Sequence, residues 1–153
     1  MSVSLLAKNL GINAIYYAIT LGVLPAIALA LDPWPRLPFR AAGAIAMIAG
    51  AVLQFWCIVL FHRRGRGTPN PALPPRMLVT AGPYSIVRNP MNVGELLVFA
   101  GMAAWFGSLA LMVYAAGSWL AFHLFITRYE EPRLAATFGA EYEAYRGRVG
   151  RWM

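Results

Sequence analysis

The sequence predicts an all-α integral membrane protein, a four-helix bundle with a cytoplasmic loop and a C-terminal amphipathic helical segment. Three observations carry that expectation. Of 153 residues, 59% are hydrophobic and only 12% charged, whereas a soluble domain is roughly half apolar and about a quarter charged. The apolar residues gather into uncharged runs long enough to cross a bilayer. Thirteen Lys and Arg stand against six Asp and Glu, a net charge of +7, and the cations crowd into particular connections. A soluble enzyme, a disordered tail and a nucleic-acid-binding domain are all poor fits. The basic balance reads as loop charge of a membrane protein rather than a nucleic-acid footprint. The length allows one domain, 1–153.

A membrane helix needs about 20 largely apolar residues to cross a core of about 30 Å. Ile12 to Leu31 supplies twenty without a charge, and Ala41 to Phe61 a further twenty-one. The first run contains a small-x-small site, Ala28-Leu29-Ala30, but it exceeds a signal peptide's apolar core of about 7–15 residues. It reads as a retained first helix, over about 12–31. The second span is about 41–61. From Met91 to Ile126 run thirty-six residues whose only acid is Glu95, too many for one span. Gly107-Ser108 is the natural break, which makes a hairpin of spans at about 92–106 and 108–127. The single cysteine, Cys57, lies inside the second span and reads as a small buried hydrophobe.

Four spans put both termini on one side with the loop 62–90. That side carries Lys8, Arg63, Arg64, Arg66, Arg76, Arg88, Arg128, Arg133, Arg146, Arg148 and Arg151; the other carries Arg36 and Arg40. Eleven cations against two place the loop and the tail 128–153 in the cytoplasm. Gly65, Gly67, Pro69, Pro71, Pro74 and Pro75 make the first half of the loop extended. In the tail, Pro132 suits a first helical turn. Leu134, Phe138, Tyr142 and Tyr145 follow as one apolar stripe, with Gly139 a candidate break.

Three polar features exceed what a plain bundle requires. The first is the loop Gly82-Pro83-Tyr84-Ser85-Ile86-Val87-Arg88-Asn89-Pro90 entering span three. Asn89 and Pro90 suit a helix start, so the loop is either a capped membrane helix with an interfacial arginine or an anion site at a helix N-terminus. The second is Glu95, an ionisable residue within a span and therefore a functional candidate; the structural alternative is an ion pair with Arg88 or Arg128. The third is Arg128-Tyr129-Glu130-Glu131-Pro132. Its acids either complement a helix dipole or offer paired carboxylates to hydroxyls or a cationic centre. His123 reads as a satisfied structural group. No metal-ligand cluster, phosphate-binding glycine loop or Ser/His/Asp arrangement with usable spacing appears.

The run Leu78–Met91, followed by Glu130-Glu131-Pro132-Arg133-Leu134 and Phe138-Gly139-Ala140-Glu141-Tyr142-Glu143-Ala144-Tyr145-Arg146, resembles the isoprenylcysteine carboxyl methyltransferase family and the related phospholipid N-methyltransferases. The family pattern is G-x-Y-x-x-x-R-H-P-x-Y, a membrane hairpin, then E-E-x-x-L and F-G-x-x-Y-x-x-Y, and the likeness covers about 78–152. It implies an integral membrane enzyme that uses S-adenosylmethionine and methylates a lipidic acceptor, either an isoprenylcysteine-type carboxylate or a phospholipid amine. It further implies a cytoplasm-facing cofactor site of Val79, Gly82, Tyr84, Arg88, Asn89, Pro90, Glu130 and Glu131. Arg88 and Glu95 are the candidate catalytic residues, with Glu95 the intramembrane carboxylate available to an amine. Two positions depart from the pattern. The family His is Asn89, which keeps a hydrogen bond but does not titrate near neutrality; the family Tyr is Asn92, which removes an aromatic wall.

Two other classes fit parts of the sequence. A small proton-coupled exporter would place its acid in the first span and keep its loops short; here that span is uncharged and the loop is long. A catalytically inactive membrane scaffold would accommodate the departures at Asn89 and Asn92.

Overall fold

The computed structural model describes residues 14–60, 63 and 77–152. Lys8, Arg64, Arg66, Arg76, the first turns expected from Ile12 and the Pro/Gly half of the loop lie outside the described residues. Among those described, the chain is helical, with one isolated parallel bridge between Val87 and Gly150. Helix α1 is Ala14–Ala30, α2 is Arg40–Leu60, α3 is Pro90–Phe106 and α4 is Leu109–Phe125. α5, Glu131–Phe138, and α6, Ala140–Arg146, complete the chain.

Among the described residues, two helical runs are long and apolar enough to cross a membrane by length and composition, Arg40–Leu60 and Leu109–Phe138. α1 and α3 are apolar but shorter. At 17 residues, α3 covers about 25 Å at 1.5 Å per residue, less than a full hydrocarbon core. Of the four expected spans, the second and the fourth therefore meet the length a membrane crossing needs among the described residues, and the third is short as its expected bounds, 92–106, imply.

α2 and α3 pack antiparallel along a seam of glycines spaced seven apart. A methyl group added at Gly43 would fall 2.7 Å from the carbonyl oxygen of Gly101. One added at Gly94 would fall 2.8 Å from that of Gly50, and one at Gly101 would fall 2.8 Å from that of Gly43. The two backbones touch where side chains would hold them apart, as small residues allow between membrane helices. Since backbone cannot step aside as a side chain can, Gly94→Ala is expected to cost about 1–3 kcal/mol, read as a lowered thermal midpoint in detergent. Gly117, with open space around it, is the control and should tolerate alanine.

The hairpin turns at Gly107-Ser108. Gly107 takes a left-handed conformation, φ 60°, and Ser108 caps α4 by accepting from the Leu111 amide at 3.2 Å. The Ser108 hydroxyl also bonds the carboxylate of Asp32 in the α1–α2 connection. The amides of Leu37 and Phe39 donate to Gly107 and Ala104 carbonyls at 3.3 and 2.8 Å. That connection thus closes the C-terminal end of α3, where helix carbonyls otherwise lack donors.

The tail departs from expectation at its start. Glu131 opens no separate helix; α4 continues into α5 through a wide π turn over Ile126–Glu130, the Glu131 amide donating five residues back to Ile126. Pro132 explains it. Proline has no N–H and its ring crowds the carbonyl four residues earlier, so the helix widens just ahead of it and carries on. α1 repeats the device, with a π turn over Ala18–Val23 immediately before Leu24-Pro25. The true break is Gly139, φ 51°, and beyond it Tyr142 and Tyr145 are buried.

Candidate functional site

The site begins with a short extended segment that proline imposes. Pro90 opens α3, and the residue before a proline is driven out of the helical region; Asn89 sits at φ −124°, ψ 55°. Upstream, the turn Gly82–Ser85 closes with the Ile86 and Val87 amides both donating to the Pro83 carbonyl at 3.1 Å. Between turn and helix, 87–89 lies open along one edge, and the last residues of the chain pair with it. The Arg88 amide donates to the Gly150 carbonyl at 2.9 Å. Asn89 occupies the N-cap position, yet its side chain makes no cap. It donates instead to the Arg151 carbonyl at 3.1 Å, which corrects the capping role expected of it.

The Arg88 side chain meets the tail. Its Nη1 lies 2.9 Å from Glu131 Oε1, with both side chains about nine-tenths buried, and donates to the Tyr142 hydroxyl at 3.2 Å. Glu131 takes a second cation: Arg151 donates through Nε at 2.7 Å and Nη2 at 2.9 Å. Burial pushes the Glu131 carboxyl up, but the Arg151 hydrogen bond and the charges of Arg88 and Arg151 outweigh it and hold it below the usual carboxylate range. The Tyr145 hydroxyl donates to the Tyr84 carbonyl at 2.7 Å; burial raises it to about 12.

Two groups in this cluster are left over. Arg88 Nε is buried and has no hydrogen-bond partner among the described residues. Glu130, part-buried beside the Glu131 pair, has no hydrogen bond or ion pair among them either. Burial, then the charge of Glu131, push the Glu130 carboxyl up. A donor and a carboxylate held without internal partners are what a ligand carrying both signs of charge would use.

The other expected site residues fall elsewhere. Val79 and the Tyr84 ring are buried with Cys57 in an apolar cluster packed by Leu53, Leu60 and Met91. There they work as core, which sets Val79 apart from the Arg88 cluster. Gly82 takes φ 62° over Leu60 and Trp56, and Pro90 is buried as the first residue of α3. Glu95 belongs to a second cluster. It is 7% exposed and accepts at 2.8 Å from the Tyr16 hydroxyl on α1. The expected alternative, an ion pair with Arg88 or Arg128, is not formed. Beside it, the Tyr114 hydroxyl donates to the Thr20 carbonyl at 2.8 Å, so α1, α3 and α4 are joined by polar groups.

Arg151 and Trp152 escaped sequence reasoning. By sequence Arg151 is a tail cation, and no spacing rule links it to Glu131. Among the described residues no three His, Cys, Asp or Glu side chains converge on a metal position.

Residues 39–141 match the phospholipid methyltransferase family. The chain belongs to that family. The matched stretch contains Arg88, Glu95, Glu130 and Glu131, and stops short of Arg151 and Trp152. Membership implies a membrane methyltransferase, in keeping with the apolar helices. The chain is also similar to the cobalt-zinc-cadmium resistance protein CzcN of Cupriavidus metallidurans, 30% identical over 105 residues, which are 69% of this chain and 44% of that protein. The chain therefore spans less than half the length of that relative.

Proposed function

We propose that this chain transfers a methyl group from S-adenosylmethionine to a lipidic acceptor at the cytoplasmic face of a membrane. The observation that carries the reading is the Arg88–Glu131–Arg151 cluster with the orphaned Arg88 Nε and, beside it, Glu130, which has no side-chain partner among the described residues. S-Adenosylmethionine bears a carboxylate, an ammonium, a sulfonium and ribose hydroxyls. The residues present fit it: Arg88 Nε offers a donor to the carboxylate, and Glu130 offers acceptors to a cationic or hydroxylic part. Bound there, the cofactor supplies an electrophilic methyl carbon.

What remains for the protein is alignment and exclusion of water. An acceptor atom must be held about 3–3.5 Å from the methyl carbon and in line with it. Tyr142 and Glu131 fix the Arg88 guanidinium in one orientation, and the buried Tyr142–Tyr145 face of α6 covers the cluster. The acceptor approaches sideways from the bilayer, through the helices that carry Glu95. In this reading α1, α2, α3 and α4 all insert, the short ones by tilt or local thinning, with the termini and the 62–90 loop cytoplasmic as the eleven-to-two charge asymmetry favours.

Glu95 distinguishes the acceptors. A carboxylate acceptor attacks as it stands, whereas an ammonium headgroup must first give up a proton, and Glu95 is the intramembrane carboxylate that can take it. The test is a radiolabelled methyl-transfer assay on membrane extract with purified protein, followed by identification of the labelled lipid. A labelled amine lipid, together with turnover in Glu95→Gln reduced about 10²–10⁴-fold, supports Glu95 as base. Turnover unchanged in that variant at every pH removes Glu95 from the chemistry. No labelled lipid and no binding of S-adenosylmethionine overturn the whole proposal.

A further inference from the structure

Residues 149–152 form a strap. They leave α6, run beside 87–89 and reach α4, where Trp152 Nε1 donates to His123 Nδ1 at 3.2 Å. The two rings stack, 6.5 Å between centroids and 22° between planes. Trp119, one turn earlier on α4, stacks on His123 at 5.4 Å and lies 6.3 Å from Trp152. The strap holds both members of the candidate site: Gly150 takes the Arg88 amide, the Arg151 carbonyl takes Asn89, and the Arg151 guanidinium takes Glu131. Among the described residues past Arg151, the Trp152 ring joins the strap to α4.

We propose that His123 and Trp152 form a latch that anchors the strap and thereby positions Arg88 and Glu131, which makes them positioning residues of the donor site. His123 is a lone histidine on an apolar helix, and its Nδ1 accepts the one N–H the Trp152 ring can donate. With the latch made, the extended segment 87–89 has its backbone partner and Glu131 its second cation. With the latch open, both depend on a short segment after α6 that has lost its ring contact with α4. The effect on donor binding rests on the methyltransferase reading; the effect on the segment 87–89 does not.

The test compares the wild-type chain with His123→Phe, Trp152→Phe and His123→Asn in detergent or nanodiscs. His123→Phe keeps a stacking ring without the acceptor, Trp152→Phe keeps a ring without the donor, and His123→Asn restores an acceptor. Hydrogen exchange of the Arg88 amide, which bonds to Gly150, is expected to accelerate about threefold to tenfold in both Phe variants and to stay near wild type in His123→Asn, the range set by one hydrogen bond. The double Phe variant should be no worse than either single one, since both break the same contact. Titration with S-adenosylmethionine should show a weakening of similar size in the Phe variants, with donor KM raised and kcat at saturation unchanged. Exchange at Arg88 that is identical in all variants, or as fast in His123→Asn as in His123→Phe, overturns the latch. Absence of donor binding by the wild-type chain overturns the methyltransferase reading instead, and the exchange comparison still decides the latch.

Discussion

Glu131→Gln is expected to destabilise the folded chain by about 3–5 kcal/mol, the cost of removing one partner from a buried ion pair. Arg88 lies at 2.9 Å and Arg151 at 2.7 Å from the same carboxylate oxygen. Without the negative charge, two guanidiniums face one another with Arg88 only 10% exposed. Glutamine keeps the shape and one acceptor oxygen, so the loss reports charge rather than packing. Since a typical domain is stable by only about 5–15 kcal/mol, the tail should come off the bundle well before α2 and α3 separate. Circular dichroism melts and proteolysis near Arg146–Arg151 would register this. Glu131→Leu combined with Arg88→Met should recover more than half of the loss, because apolar groups of similar volume replace a buried pair at little cost. No loss in Glu131→Gln would mean that the cluster is solvated and structurally idle.

The same carboxylate sets the acid limit. Its folded value lies below the usual one of about 4.3, so its contribution is complete above that pH and disappears as the pH falls through the folded value. Tyr145 sets the alkaline limit with the opposite sign. Its hydroxyl is raised to about 12, so the fold keeps the neutral form; that contribution is complete below about 10 and is lost as the pH rises through 12. Glu130, raised by burial and then by the charge of Glu131, adds a loss of the same sign as Tyr145 when the pH rises through its folded value, so tail docking should be flat only from above that value to about pH 10.

How much of this could be read from the sequence depends on which physics encodes it. Runs of apolar residues are local, so α2 appears at Arg40–Leu60 where 41–61 was expected, and the hairpin breaks at Gly107-Ser108 as the Gly-Ser pair predicts. The junction of α4 and α5 was not legible. Pro132 is compatible with a first helical turn and with a π turn in a continuing helix, and only the packing of Ile126 and Glu131 against the rest selects the second. Glycines seven apart were visible, but a single helix does not state its partner. The polar partners were least legible. Glu95 bonds Tyr16, 79 positions away, and Arg88 bonds Gly150 through main chain, which leaves no side-chain signature. Of the expected site, Arg88, Asn89 and Glu131 are brought into one cluster, with Asn89 joined through the Arg151 carbonyl. Val79 and the ring of Tyr84 pack in a core with Cys57, Leu53 and Leu60 of α2, a contact that no local pattern encodes.

Arg88→Ala and Glu130→Ala should both weaken S-adenosylmethionine binding, and they should differ sharply in what they do to the fold. Arg88→Ala removes the orphaned Nε along with one cation of Glu131. Glu131 retains its paired hydrogen bonds from Arg151, so the tail stays docked at reduced stability. Losing one member of a desolvated charge contact costs about 2–5 kcal/mol, or at least about thirtyfold in affinity at 1.4 kcal/mol per decade. Glu130→Ala breaks no side-chain bond formed among the described residues and removes a carboxyl whose ionised form burial, and then the charge of Glu131, disfavour; stability should hold or rise while donor affinity falls about tenfold. A group whose removal helps the fold and harms binding is one the fold retains for its ligand. Proton linkage supplies an independent check. A cation placed against Glu130 favours its ionised form, so donor binding should release protons and strengthen as the pH rises through the Glu130 value, and Glu130→Gln should flatten that dependence. Calorimetry in two buffers of different ionisation enthalpy measures the proton count directly. Affinity unchanged in both alanine variants, with no proton release in the wild type, would place the donor somewhere other than between Arg88 and Glu130.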